Sequence, residues 1–223
     1  MAPLPSGAIV VSGLTRREAY MDSSTGLQMA LNRARRLGVL GPGPIEDHIS
    51  HAGGFMAALE EVPVGSVIVD LGSGGGIPGL VIADARPDLR LVLLDALERR
   101  VALLEEAVEA LGWDDRVIVL HARAEDVGRD PAWRGTVDAV TARLFGPPAT
   151  VAECAAPLLR IGGVLIVSEP PEQTDRWPID GLAEFGLEPA DKSPAGMQVL
   201  RQVELCPDKY PRRVGIPAKR PRF

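Results

Sequence analysis

Val67–Gly79 reads V-I-V-D-L-G-S-G-G-G-I-P-G, and these thirteen residues decide the fold. Apolar, β-branched residues closing on Asp70, then Gly72, Gly74, Gly76 and Gly79, predict a buried strand that turns sharply into a helix. Glycines at alternate positions permit positive φ and let main chain lie against a ligand with no Cβ in the way. The stretch therefore reads as a cofactor loop, with Gly72, Ser73, Gly74, Gly76 and Pro78 at the contact.

Gly74, Gly76 and Gly79 also satisfy the dinucleotide pattern G-x-G-x-x-G, which is weak in isolation. Two features favour S-adenosylmethionine instead. Pro78, in the predicted first helical turn, supplies no N–H, which makes the helix end a poorer pyrophosphate cradle. Asp70 at the strand's end suits a cationic amino group and would repel a pyrophosphate.

Working outward, the pattern alternates helix and strand. Ile77–Ala85 predicts a helix, and Leu89–Leu94 a second strand closed by Asp95. That carboxylate lies 19 residues beyond Gly76, where it can take the ribose hydroxyls of an adenosine or cap the helix that follows. Leu97–Leu111 carries an apolar stripe (Leu97, Val101, Leu104, Val108, Leu111) and ends at Gly112. The third strand, Val117–Leu120, leads into a polar segment where backbone at Ala124 and Glu125 can read an adenine edge. A fourth strand, Val137–Thr141, delivers Arg143 to the same side, where it can contact substrate or form a structural ion pair.

Residues 147–160 predict a helix, Ile161-Gly162-Gly163 a turn, and Val164–Val167 the fifth strand. Strands near Leu187–Ala190 and Met197–Leu205 close the chain as a hairpin. The fold class expected is α/β: a doubly wound, mostly parallel seven-stranded sheet with a terminal antiparallel hairpin. Upstream, helices are expected over Ser24–Leu37 and Ile45–Glu61, separated by G-V-L-G-P-G-P, and residues 1–22 show no clear period. His48 and His51 lie three apart on the second of these, a spacing better suited to polar contacts over the cofactor mouth than to a metal pair lacking further ligands. No metal site is expected.

Composition sets outer bounds. A 223-residue chain, 46% hydrophobic, suits one compact domain with short extensions. Three parts are expected: an N-terminal helical extension (1–64), a cofactor-binding domain (65–207) and a basic tail (208–223). No apolar run approaches membrane-spanning length and the first residues lack a signal-peptide layout, so a cytoplasmic protein with no membrane partner is expected. Cys154 and Cys206 stand far apart and read as small buried apolar residues. Net charge is −6, yet Lys209–Phe223 holds six cations and no acid, which leaves the rest of the chain at −12. Pro211, Pro217 and Pro221 argue against a regular helix there, so the cations are expected along an extended arm able to follow phosphates.

Three segments resemble one family: Asp70–Gly79 (D-L-G-S-G-G-G-I-P-G), Leu93–Arg100 (L-L-D-A-L-E-R-R) and Tyr210–Pro221 (Y-P-R-R-V-G-I-P-A-K-R-P). They are similar to the RsmG (GidB) family, class I S-adenosylmethionine-dependent methyltransferases with a Rossmann-like fold that methylate the seven-position nitrogen of a guanosine in 16S ribosomal RNA. Thr141-Ala142-Arg143 is similar to the family's S/T-R-A segment. The resemblance implies S-adenosylmethionine as cofactor, held by Asp70, the glycine loop, Asp95, Ala124 and Glu125. It implies 16S rRNA or the small ribosomal subunit as partner, with Arg143 as the catalytic, substrate-binding residue and Arg212, Arg213, Lys219 and Arg220 on the RNA. Departures lie at the front, where H-x-x-D-S-L is reduced to His48–Gly53, and after the fifth strand, where lysine-glycine is Ser168-Glu169. Two alternatives stay open: a small-molecule or protein methyltransferase, and a non-catalytic RNA-binding relative. A nicotinamide dehydrogenase is disfavoured, because the chain is short for a second catalytic domain.

Overall fold

Strands β1 (Val67–Leu71), β2 (Arg90–Asp95), β3 (Val117–His121), β4 (Val137–Ala142), β5 (Leu159–Ser168), β6 (Leu187–Pro189) and β7 (Met197–Gln202) form one sheet in the order β3-β2-β1-β4-β5-β7-β6. The structure is a computed structural model that describes residues 16–170 and 176–223, residues 16–24 by backbone alone. The first five strands run parallel, and β7 lies antiparallel between β5 and β6. The expected doubly wound sheet with its closing hairpin is what forms.

Helices α1 (Arg16–Arg36), α2 (Ile45–Ala58), α3 (Gly79–Ala85) and α4 (Glu98–Leu111) precede α5 (Ala124–Val127), α6 (Pro148–Ala155), α7 (Ile179–Ala183) and α8 (Ile216–Lys219). Period-two alternation along each strand divides the core between two faces. Ile68, Leu91 and Leu93 join Leu31 of α1, Phe55 of α2 and Leu104 of α4 on one side. Val69, Val92 and Leu94 join Val151 of α6, Leu182 of α7, Phe185 and Tyr210 on the other. The guanidinium of Arg86, after α3, donates to the carbonyls of Leu59 and Val62 and pairs with Asp88, tying the end of α2 to the sheet.

Several boundaries differ from expectation. α1 starts at Arg16, inside the stretch read as aperiodic, whereas residues 1–15 lie outside the described residues. Ile161-Gly162-Gly163 is not a turn before the fifth strand but an irregularity within it: Val137 pairs with Leu159 and Ala139 already with Val164. Gly162 takes φ of 82° there, a conformation that admits the extra residues opposite Asp138. α7 was not anticipated.

The largest correction concerns the tail, which is a strap packed on the domain and not an extended arm. Tyr210 is buried with its ring 4.7 Å from that of Phe185. Arg134 donates to the carbonyls of Gly128, Cys206 and Tyr210. Thr150 of α6 donates to the carbonyl of Pro217, and Arg222 pairs with Glu184. Pro217 sits in the first turn of α8, where its missing N–H costs nothing, so a short helix forms despite the prolines.

Candidate active site

β1 and β4 are neighbours in space although β2 and β3 intervene in sequence, so the strand order reverses at β1 and a crevice opens at the carboxyl ends. The register pairs Asp70 with Thr141 and Leu71 with Ala142, which sets Arg143 beside Gly72. Everything predicted from the first four strands except Pro78 is brought to this rim.

The loop after β1 is pinned from several directions. The N–H groups of Gly72 and Ser73 donate to the carbonyl of Leu94 on β2. The Ser73 hydroxyl turns inward to the carbonyl of Asp70 at 2.9 Å, and its carbonyl accepts from Gly76 N–H, so Ser73 is spent on holding the loop. Gly72, Gly74 and Gly76 have φ of 74°, 55° and 96°. A Cβ on Gly72 would strike the Phe145 ring at 2.7 Å, and one on Gly76 would strike Leu80 at 2.4 Å. A Cβ on Gly74 would meet only the Gly72 carbonyl oxygen, at 3.7 Å. The crevice is therefore open above Gly74. Pro78 is buried immediately before α3 and shapes the turn from beneath.

Asp70 is 1% exposed, and both its carboxylate oxygens are engaged. Oδ1 accepts from Thr141 Oγ1 at 2.8 Å and Oδ2 from Gly79 N–H at 3.2 Å, where a Cβ on Gly79 would collide with it. Burial pushes its carboxyl up to about 6, opposed by the bonds from Thr141, Ser73 and Gly79 and aided by Asp95. Asp70 thus locks β1, β4 and α3 together under the loop.

Asp95 touches both the glycine loop and the residue that precedes α4. Oδ1 accepts from Leu97 N–H at 3.0 Å, holding the entry to α4, while Oδ2 accepts from Gly74 N–H at 2.9 Å. The carboxylate therefore bridges the ends of β1 and β2 at the opening above Gly74. Leu97, read as the first residue of the helix stripe, is instead 48% exposed beside this carboxylate. Helical spacing alone could not show this, because the helix starts one residue later, at Glu98. Ala124 and Glu125 open α5, ahead of the first helical bond, from Asp126 N–H to the carbonyl of Arg123, so their backbone donors face outward from the helix start. The Glu125 side chain is turned elsewhere, accepting from Gly215 N–H of the tail at 2.8 Å.

Arg143 is half-buried at the end of β4. Its Nη2 lies 3.0 Å from Nδ1 of His48, and its Nη1 is buried without a hydrogen-bond partner among the described residues. Burial lowers its pKa and the Asp70 charge opposes that. His51, one turn along α2, is lowered by burial and then by Arg143 and His48. His48 thus contacts the arginine directly, while His51 senses its charge. Next to it Leu144 has φ of 55° and is 90% exposed, a strained leucine that no sequence pattern announced.

Of the predicted RNA cations, Arg212 is unavailable. Its Nε and Nη2 grip both oxygens of Glu153, a carboxylate 0% exposed on α6, and its N–H donates there too. Arg213, Lys219 and Arg220 remain exposed, with no carboxylate paired to them among the described residues. Among the described residues no group of three His, Cys, Asp or Glu could hold a metal, and no helix is long and apolar enough to cross a membrane.

A sheet of this order with a glycine loop after β1 and an acid closing β2 defines the class I S-adenosylmethionine-dependent methyltransferase fold. Among solved structures the chain is similar to geranyl diphosphate C-methyltransferase from Streptomyces coelicolor A3(2), a complex with S-adenosyl-L-homocysteine: TM-score 0.53, 16% identity, 69% of this chain and 79% of that one. The profile of the family GidB, rRNA small subunit methyltransferase G, matches residues 45–176, and the chain belongs to that family. Ribosomal RNA small subunit methyltransferase G of Moorella thermoacetica is 36% identical over 172 residues, 72% of this chain and 71% of the relative. The Roseiflexus castenholzii counterpart is 39% identical over 166 residues, 70% of each.

Proposed function

We propose that the protein uses S-adenosylmethionine to methylate the seven-position nitrogen of a guanosine in 16S ribosomal RNA, in the cytoplasm, acting on the RNA or the small subunit. The observation that carries this reading is the union at one rim of an open glycine cradle, Asp95 and an arginine with an unpartnered buried donor. When bound, the cofactor supplies a sulfonium methyl: guanine N7 gives its lone pair to the methyl carbon, the C–S pair leaves with sulfur, and no proton need be removed.

The residues therefore have to position and dehydrate the reactants, and no general base is required. Gly74 leaves room for the adenosine, Asp95 offers ribose a carboxylate, and the backbone of Ala124 and Glu125 flanks adenine. Asp70 acts beneath the loop, its charge facing the cationic end of the cofactor. Arg143 Nη1 donates to an acceptor oxygen of the nucleotide, which leaves N7 itself free. The end of β4 reads Thr141-Ala142-Arg143-Leu144, without the N-P-P-Y-like turn commonly used on exocyclic amines. Arg213, Lys219 and Arg220 supply phosphate contacts beside the mouth.

The test is incubation with methyl-labelled S-adenosylmethionine and either naked 16S rRNA or assembled small subunits, followed by nucleoside analysis. Label in 7-methylguanosine is expected. Label in a different nucleoside overturns the atom assigned, and label only in protein or small molecules overturns the RNA substrate.

A further inference from the structure

The contacts of His48 specify one protonation state. An arginine N–H can only donate, so the 3.0 Å approach of Arg143 Nη2 requires Nδ1 of His48 to be the acceptor and to carry no proton. A carbonyl can only accept, so the 3.2 Å approach of His48 Nε2 to the Gly41 oxygen requires the proton on Nε2. Both are met by a single species, the neutral imidazole with hydrogen on Nε2. The imidazolium would turn an N–H against an N–H and set a second cation on a half-buried guanidinium.

The position is also connected. Gly41 belongs to the segment between α1 and α2, whose Val39 carbonyl and Leu40 side chain lie within 3.2 Å of where a Cβ on Gly75 would stand. Arg35 donates to the carbonyl of Gly43 in the same segment. A chain of direct contacts thus runs from the cover of the glycine loop through Gly41 and His48 to Arg143.

We propose that His48 is a positioning residue for methyl transfer: as the neutral Nε2–H tautomer it links the Gly41 carbonyl to Arg143 and holds the guanidinium so that its unpartnered Nη1 is presented to the nucleotide. The proposal rests on the reading of Arg143 as the nucleotide-binding residue. The charged or titratable groups around the imidazole are Arg143 from β4, with Asp70 of β1 behind it, and His51 on its own helix. Glu46 and Asp47 lie exposed at the start of that helix.

Two substitutions separate this role from a structural one. The Asn amide branches where Nδ1 does, so His48→Asn keeps an acceptor for Arg143 that does not titrate. The Gln amide reaches the Nε2 position, so His48→Gln keeps the Gly41 contact and loses the acceptor. With small subunits as substrate, His48→Gln is expected to lower kcat/KM about 10- to 100-fold, the scale of a misplaced reacting group. His48→Asn is expected to recover to within about five-fold of the parent. Calorimetry should find S-adenosylmethionine affinity within about two-fold in both. An unimpaired His48→Gln, a His48→Asn no more active than His48→Gln, or loss of cofactor affinity in either variant overturns the proposal. Arg143→Ala in the same assay separates the premise: if it retains full activity, the reading of Arg143 fails, whereas if it is inactive while His48→Gln is not, the role of His48 alone falls.

Discussion

Single residues in the glycine loop have different structural reasons for being glycine, and substitutions should sort them. At Gly74 an added methyl meets little of the protein, so Gly74→Ala should cost only the left-handed backbone, about 1–2 kcal/mol, while lowering S-adenosylmethionine affinity at least about tenfold. Gly76→Ala drives a methyl into Leu80 and should add about 1–3 kcal/mol of overpacking to that strain. Calorimetry and urea denaturation on the pair read the two effects separately. Asp70 gives a pH test. Its carboxyl is raised from 3.8 to about 6 by burial, so its contribution to stability is full below about pH 4 and is lost as pH rises through about 6. Carboxylates such as Asp88 and Glu184, whose pKa is lowered by arginine partners, act in the opposite sense. Comparison of wild type with Asp70→Asn isolates the difference: the variant should gain relative stability between pH 4 and 7, followed by thermal denaturation. No gain would mean that the buried carboxylate carries no such penalty.

At the scale of elements, legibility followed how local the signal was. β1 to β4 and α4 were readable because apolar runs, a glycine helix stop and strand-end acids all lie within a few residues of one another. The bulge in β5 was not, because Ile161-Gly162-Gly163 has the composition of a turn and only pairing with Val137 and Ala139 makes it strand. The tail was misread for a related reason: its cations are visible in the sequence, but the partner of Arg212 is Glu153, 59 residues earlier on α6. The Asp95 contacts lie between these cases: the Leu97 N–H is two residues away, whereas the Gly74 N–H is 21 residues earlier. The Glu153–Arg212 pair should dominate docking of the strap. Arg212→Ala leaves a carboxylate buried without its cation and is expected to cost about 3–5 kcal/mol, with earlier proteolysis in residues 208–223. A loss near zero would make the strap independent of that pair.

For the whole molecule, the proposed contact of an acidic body with RNA through Arg213, Lys219 and Arg220 makes the salt dependence of binding the informative measurement. Replacing Arg213, Lys219 and Arg220 together by alanine should reduce the slope of log affinity against log salt by about 2, at about 0.7 per phosphate on a single strand. Removing residues 209–223 altogether confounds this, because Tyr210, Arg212 and Pro217 are built into the core and the domain should lose stability as well. An unchanged slope in the triple variant would move the RNA contact away from the tail. The sheet also has two unequal rims. β6 is three residues long and ends at Pro189, which has no N–H to offer a further strand. β3 is five residues, V-I-V-L-H, and no strand among the described residues lies on its outer side. Self-association of partly unfolded protein should therefore begin by strand addition at Val117–His121, and lysine at Ile118, 38% exposed, is the substitution expected to delay precipitation while leaving methyl transfer intact.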